Sequence, residues 1–153
     1  MKAKAYLERI ELMDAKINTR LEELAQLNAL ATKTTSVLGG DRVQSSGSQQ
    51  KMADCVAKIV DLKDEINAQI DRFVNYKQNV LKLMDKYCDP DCINLLYSRY
   101  FLYKEWEQIA VELNYTYKWV SGGLHQRALS QVQKGLDERK GTKDVESIQG
   151  NKL

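Results

Sequence analysis

The chain of 153 residues contains one proline, one histidine, two phenylalanines and only eight glycines. An all-β sandwich or barrel needs turn residues every dozen positions or so, and long stretches here have neither Gly nor Pro, so a helix-rich chain is expected. The single histidine, His125, excludes a His-based proton relay and a multi-histidine metal site. Three cysteines are an odd number and too few for a disulfide framework, which points to a reducing, cytoplasmic setting. Cys88 and Cys92 stand four apart around Pro90, but a structural zinc site needs four ligands and only Cys55 and His125 remain to complete one. No apolar run is long enough to span a bilayer. The start Met1-Lys2-Ala3-Lys4-Ala5-Tyr6-Leu7-Glu8 meets charge before the core of a signal peptide can form. An excess of one charge is also missing: 23 Lys and Arg face 21 Asp and Glu, so total charge does not mark a nucleic-acid binder and any such argument must be local.

Catalytic patterns are missing as well. The glycines at Gly39, Gly40 and Gly47 lack the Gly-Lys-Ser/Thr ending of a phosphate-binding loop, and no nucleophile stands with a base in a recognisable arrangement. The expectation is a non-enzyme with no cofactor and no metal.

What is present is helical periodicity. From Lys2 to about Val37 there is no Pro or Gly. Leu7, Ile10, Met13, Ile17, Leu21, Leu24, Leu27 and Leu30 recur every three or four residues, which predicts one long helix. Gly and Ser collect between Ser36 and Ser48 and predict a loop. From Gln49 to about Tyr87, Met52, Ile59, Ile66, Phe73, Val80 and Tyr87 fall at steps of seven, joined by Cys55, Leu62, Tyr76 and Leu83. This heptad repeat is interrupted only by Gln69. Two amphipathic helices joined by one loop are expected to fold back as an antiparallel hairpin. Two helices cannot cover stripes this wide, so self-association or docking on the rest of the chain is expected too.

Asp89-Pro90 predicts a helix start, with Asp accepting backbone hydrogen bonds as N-cap and Pro at the first helical position. A helix to about Tyr100 should follow, then a short one from Glu105 to Leu113, the turn Asn114-Tyr115, and a helix capped by Thr116 and running through Leu136. The tail from Asp137 is expected to fray. This is helix-turn-helix spacing. Ala110 permits a close helix crossing, Leu113 closes the first helix on the core, and Asn114 tolerates a left-handed backbone. Val120, Leu124 and Arg127 share one side of the second helix, with Lys118, Trp119, Gly122, His125 and Gln126 mainly on the other, which would meet the major groove. From Thr116 to Lys140 five bases face two acids, a local charge of +3 suited to phosphate contact. Gly122-Gly123 inside this helix costs about 2 kcal/mol relative to alanine, or allows close backbone approach to DNA.

These residues resemble region 4 of bacterial sigma factors. The fuller set comprises Arg99-Tyr100, Trp106-Glu107-Gln108-Ile109-Ala110, Asn114-Tyr115-Thr116-Tyr117-Lys118-Trp119-Val120 and Leu124-His125-Gln126-Arg127-Ala128-Leu129. With Leu21-Glu22-Glu23-Leu24, Val43-Gln44-Ser45-Ser46-Gly47 and Lys58-Ile59-Val60-Asp61-Leu62, it resembles small phage and prophage proteins of Gram-positive bacteria over most of the chain. The resemblance implies a regulator of phage transcription. A sigma region 2, which opens promoters, has no visible equivalent.

The sequence therefore predicts an all-α protein in three parts: a coiled-coil-like hairpin at 1–87, a sigma-region-4-like helix-turn-helix module at 88–136 and a flexible tail at 137–153. The expected function is a DNA-binding transcription regulator of phage or prophage genes in the bacterial cytoplasm. Double-stranded DNA would be contacted by Thr116, Tyr117, Lys118, Trp119, Ser121, Gly122, His125, Gln126 and Lys134. The hairpin would mediate homodimerisation or contact RNA polymerase, with no membrane partner. The alternatives are a small terminase subunit for DNA packaging, marked by ring-shaped oligomers, and a helical interaction protein without DNA binding.

Overall fold

The computed structural model describes residues 1–38 and 46–149; the centre of the predicted Gly/Ser loop, 39–45, and residues 150–153 lie outside the described residues. Helices account for nearly all of the rest: α1 (Ala3–Leu38), α2 (Ser46–Tyr87), α3 (Pro90–Leu96), α4 (Trp106–Leu113) and α5 (His125–Gln149). Two π-helical segments, Tyr97–Phe101 and Trp119–Leu124, continue α3 and lead into α5. No strand occurs among the described residues, as the scarcity of turn residues led us to expect. Among the described residues, no helix is long and apolar enough to cross a membrane.

The chain packs as two compact units, Met13–Val74 and Met1–Leu12 together with Asn75–Leu153. In the first, the heptad of α2 sets the burial: Ile59, Leu62, Ile66 and Gln69 are buried, and Met52, Cys55 and Phe73 are half-buried. From α1, Ile17 is buried. Arg20 reaches Glu65 at 3.4 Å and Glu23 at 2.9 Å, and the Cys55 thiol donates weakly to the Leu27 carbonyl at 3.9 Å. Gln69 is the polar exception in this seam. Its Nε2 donates to Glu65 Oε1 at 3.3 Å, while its own Oε1 is buried without a partner. Not all of the predicted α1 stripe is covered: Leu21 is 43% and Leu30 56% exposed. A stripe this wide exceeds what one partner helix shields.

The second unit has the denser core. Leu7 and Ile10 of α1, Val80, Leu83 and Met84 of α2, Leu95 and Leu96 of α3, Ile109 of α4, and Val120 and Val132 of the last helix are all completely buried. This grouping cuts the chain differently from the 1–87, 88–136 and 137–153 division read from the sequence, because the first turns of α1 and the last turns of α2 share a core with the C-terminal helices. The helix also continues to Gln149, where a frayed tail was expected from Asp137. Contacts distant in sequence hold it: Tyr87 Oη donates to Glu138 at 2.6 Å, Arg139 to the Asn79 carbonyl at 3.4 Å, and the Ala3 N–H to Gln133 Oε1 at 2.8 Å. At Gly135 a Cβ would lie 2.6 Å from the Tyr87 ring, so this glycine sets how closely α5 approaches α2.

Tyr76 Oη donates to the Tyr6 carbonyl at 2.7 Å, with the two rings 5.4 Å apart. Burial, followed by the neighbouring Tyr6, pushes the Tyr76 phenol up to about 12.

Candidate nucleic-acid interface

Asp89 occupies the N-cap position of α3 with Pro90 behind it, but its carboxylate does not cap the helix. It turns to the last helix, accepting from Gln131 Nε2 at 2.8 Å and pairing with Arg127, while its N–H donates to Gln131 Oε1 at 3.0 Å. Beneath it, burial raises the Cys88 thiol to about 12 and also raises Cys92, so both stay protonated and poorly nucleophilic near neutrality.

The turn after α4 is built as its residue types suggest. Asn114 adopts φ 58°, ψ 40°, its N–H bonds to the Val111 carbonyl at 3.2 Å, and the Tyr115 N–H bonds to the Ala110 carbonyl at 3.0 Å. These are the two hydrogen bonds of a Schellman C-cap, which satisfy carbonyls that the helix end would otherwise orphan. Tyr115 Oη then donates to Asp91 at 2.7 Å, tying the turn to α3. Thr116 Oγ1 accepts from the Trp119 N–H at 3.2 Å, the N-cap to N3 bond predicted for it. Helix begins at Tyr117 and runs through the π-helical turn into α5. Val120, Leu124, Ala128, Val132 and Leu136 are buried along it, and Ala110 of α4 is buried on the same core.

The expected DNA-facing residues divide. Thr116, Tyr117, Lys118, Trp119, Gln126 and Lys134 are exposed, and Ser121 and Gly122 are partly exposed. His125 is not on this surface: it is 7% exposed, with Nε2 2.8 Å from Tyr100 Oη and its ring edge-on to Trp106 at 4.7 Å. Arg127, expected on the inner side with Val120 and Leu124, is exposed and paired with Asp89, so its charge is already engaged. Both misplacements have one cause. A π-helical turn accommodates an extra residue, so a wheel drawn at one helical period through Trp119–Leu124 assigns the wrong faces beyond it.

The two glycines also differ from expectation. Trp119 lies flat against Gly123, where any Cβ would overlap the indole, whereas open space surrounds Gly122. Gly123 thus serves the packing of an aromatic that still leaves 44% of itself in solvent. Sequence reasoning missed a neighbouring group. Val111 is 81% exposed and Tyr115 41%, and with Tyr117 they line a shallow depression of about 630 Å³ beside the turn. Their apolar character is the signal that could have marked them.

On the opposite side of α4, Arg99 stacks over Trp106 at 4.6 Å, donates to the Lys104 carbonyl at 2.9 Å and lies 3.6 Å from Glu105. Lys104 holds both Glu112 oxygens, at 2.8 and 3.0 Å. Of the bases from Asp89 to Lys134, Lys118 and Lys134 are the two without an acidic partner within 4 Å.

Burial, reinforced by the charges of Lys4 and Arg99, lowers His125 to about 4. The folded protein therefore binds this proton less readily than the unfolded chain. Stability from the neutral imidazole is complete above the ordinary value of about 6.5 and is lost as pH falls from there toward 4. Chemical denaturation at pH 7 and pH 4.5 should show a loss of about 2 kcal/mol that His125→Gln largely removes. Equal losses in the two proteins would mean that His125 does not titrate this way.

No family model, no curated protein and no solved structure matches the chain.

Proposed function

We propose that this chain is a DNA-binding transcription regulator, with α4 and the Thr116-capped helix acting as a helix-turn-helix. One observation carries the reading: a helix fixed by its cap and by Val120, Leu124, Ala128 and Val132 presents Tyr117, Lys118, Ser121, Gly122, Gln126 and Lys134 outward after a left-handed Asn114 turn. Lys118 and Lys134 suit phosphates and Gln126 suits the edge of an adenine, with Gly122 leaving room for a groove wall. The likeness to sigma region 4 and to phage proteins makes phage or prophage promoters the targets and RNA polymerase a second partner. Residues 1–87 act as an antiparallel hairpin that dimerises the protein. Supporting this, Arg20 meets Glu65 and Leu27 meets Cys55 in one unit, and Tyr6 meets Tyr76 in the other, so later positions on α1 meet earlier ones on α2.

Exposed Val111, Tyr115, Tyr117 and Trp119 favour a second reading, in which the same surface docks a protein. Selection from random duplexes by the full-length chain separates the two. The DNA reading predicts convergence on a common sequence, and a pool that stays random after repeated rounds would leave the protein-docking reading in its place.

A further inference from the structure

Within the second unit, a cleft of about 390 Å³ lies between the first turns of α1, the stretch that leads into α4 and the start of the last helix. Small-molecule sites span about 300 to 1,000 Å³, so the cleft is large enough to be one. Charges of both signs line it, Lys4, Glu8 and Glu11 from α1 and Arg99 and Glu105 from the stretch before α4. Lys4 meets Glu8 and Arg99 meets Glu105, each at 3.6 Å. Both distances exceed hydrogen-bond length, so neither pair saturates its cation. Glu11 forms no ion pair among the described residues.

His125 also lines the cleft, and its Nε2 makes the one hydrogen bond of this side chain, to Tyr100 Oη. Among the described residues, Gln69 Oε1 is the one buried side-chain polar atom without a partner. His125 Nδ1 has no partner either, so it must be open to solvent. In a residue 7% exposed that lines the cleft, the opening is the cleft itself. Tyr100 Oη has no other partner among the described residues, so its hydrogen goes to Nε2. The imidazole is neutral near pH 7, because burial lowers it to about 4, and its own hydrogen is therefore on Nδ1. The charges felt most strongly at this ring are Lys4 and Arg99, ahead of Glu8. Glu11 stands about 10 Å along α1 from Lys4. The cleft thus offers donors at one end and an unpaired carboxylate at the other.

We propose that this cleft is a binding site for a small zwitterion of the amino-acid class, its carboxylate on His125 Nδ1 beside Lys4 and Arg99 and its ammonium on Glu11. Ser121 on the wall belongs to the helix capped by Thr116, so a bound ligand would brace that helix against α1.

The chain has one histidine, so imidazole nitrogen NMR of the full-length protein reads this group alone. At pH 7 the free protein should show the hydrogen on Nδ1. Each standard amino acid is then added singly at about 10 mM, enough to detect a dissociation constant in the millimolar range. At least one should shift the Nδ1–H signal, whereas acetate alone and methylamine alone at the same concentration should not. Glu11→Gln, at an exposed position, should fold normally and weaken that binding about tenfold. A hydrogen on Nε2, silence toward every amino acid, an equal response to acetate, or full affinity in Glu11→Gln would each overturn the proposal. No DNA is present, so this site and the DNA reading stand or fall separately.

Discussion

Ile66→Asp should unfold the unit formed by Met13–Val74. Ile66 is 3% exposed in the seam of α2, one turn before the buried and half-satisfied Gln69. A carboxylate placed there loses the apolar contacts of the isoleucine and is desolvated in an apolar seam, at a cost of about 3 kcal/mol or more. The seam already carries one unpaired polar oxygen, so little tolerance is left for another. Circular dichroism should show a loss of helix and a lower melting temperature, with Gln69→Leu shifting the other way because it removes the orphaned group. Wild-type helicity and stability for Ile66→Asp would contradict the packing of α2 described here.

The second large effect separates the two sides of the helix after Thr116. Val120 is fully buried, so Val120→Ala should destabilise the fold by about 1 to 3 kcal/mol, with duplex affinity following only the folded fraction. Lys118 and Gln126 are exposed, and neither Lys118→Ala nor Gln126→Ala should change the melting temperature appreciably. Each should weaken binding to a selected duplex, Lys118→Ala about equally for all sequences and Gln126→Ala mainly at one base pair, by about 1 to 3 kcal/mol. Arg127→Ala serves as a contrast. Its pairing with Asp89 makes its loss a matter of stability rather than of DNA contact.

Much of this architecture was written in local patterns. The heptad of α2 names residues that are all buried or half-buried, from Met52 through Tyr87, because period and burial are the same fact seen twice. Asn114 and Thr116 were readable because a left-handed turn and an N-cap depend on a residue's own side chain and its nearest neighbours. What escaped depends on distant partners or on a change of helical period. Asp89 has the sequence of an N-cap, yet Gln131 and Arg127 claim its carboxylate from more than 35 residues away. The stretch after Asp137 has no apolar rhythm, and only its first residues are tied to the rest of the unit, by Tyr87 to Glu138 and Arg139 to the Asn79 carbonyl. His125 illustrates the period problem: nothing in its neighbours announces the π-helical turn that carries it inward to Tyr100 and Trp106. In the site itself, the sequence located the outward row at Lys118, Gln126 and Lys134 but overstated its charge, since Arg127 is spent on Asp89.

The most direct measurement is the affinity of the full-length chain for a selected duplex as salt rises. Phosphate contact by Lys118 and Lys134 predicts that the logarithm of the association constant falls linearly with the logarithm of salt concentration, and that Lys118→Ala reduces the slope by about one. Affinity that is the same at low and high salt, or a slope that Lys118→Ala leaves unchanged in a folded protein, would contradict the assignment of this helix to DNA.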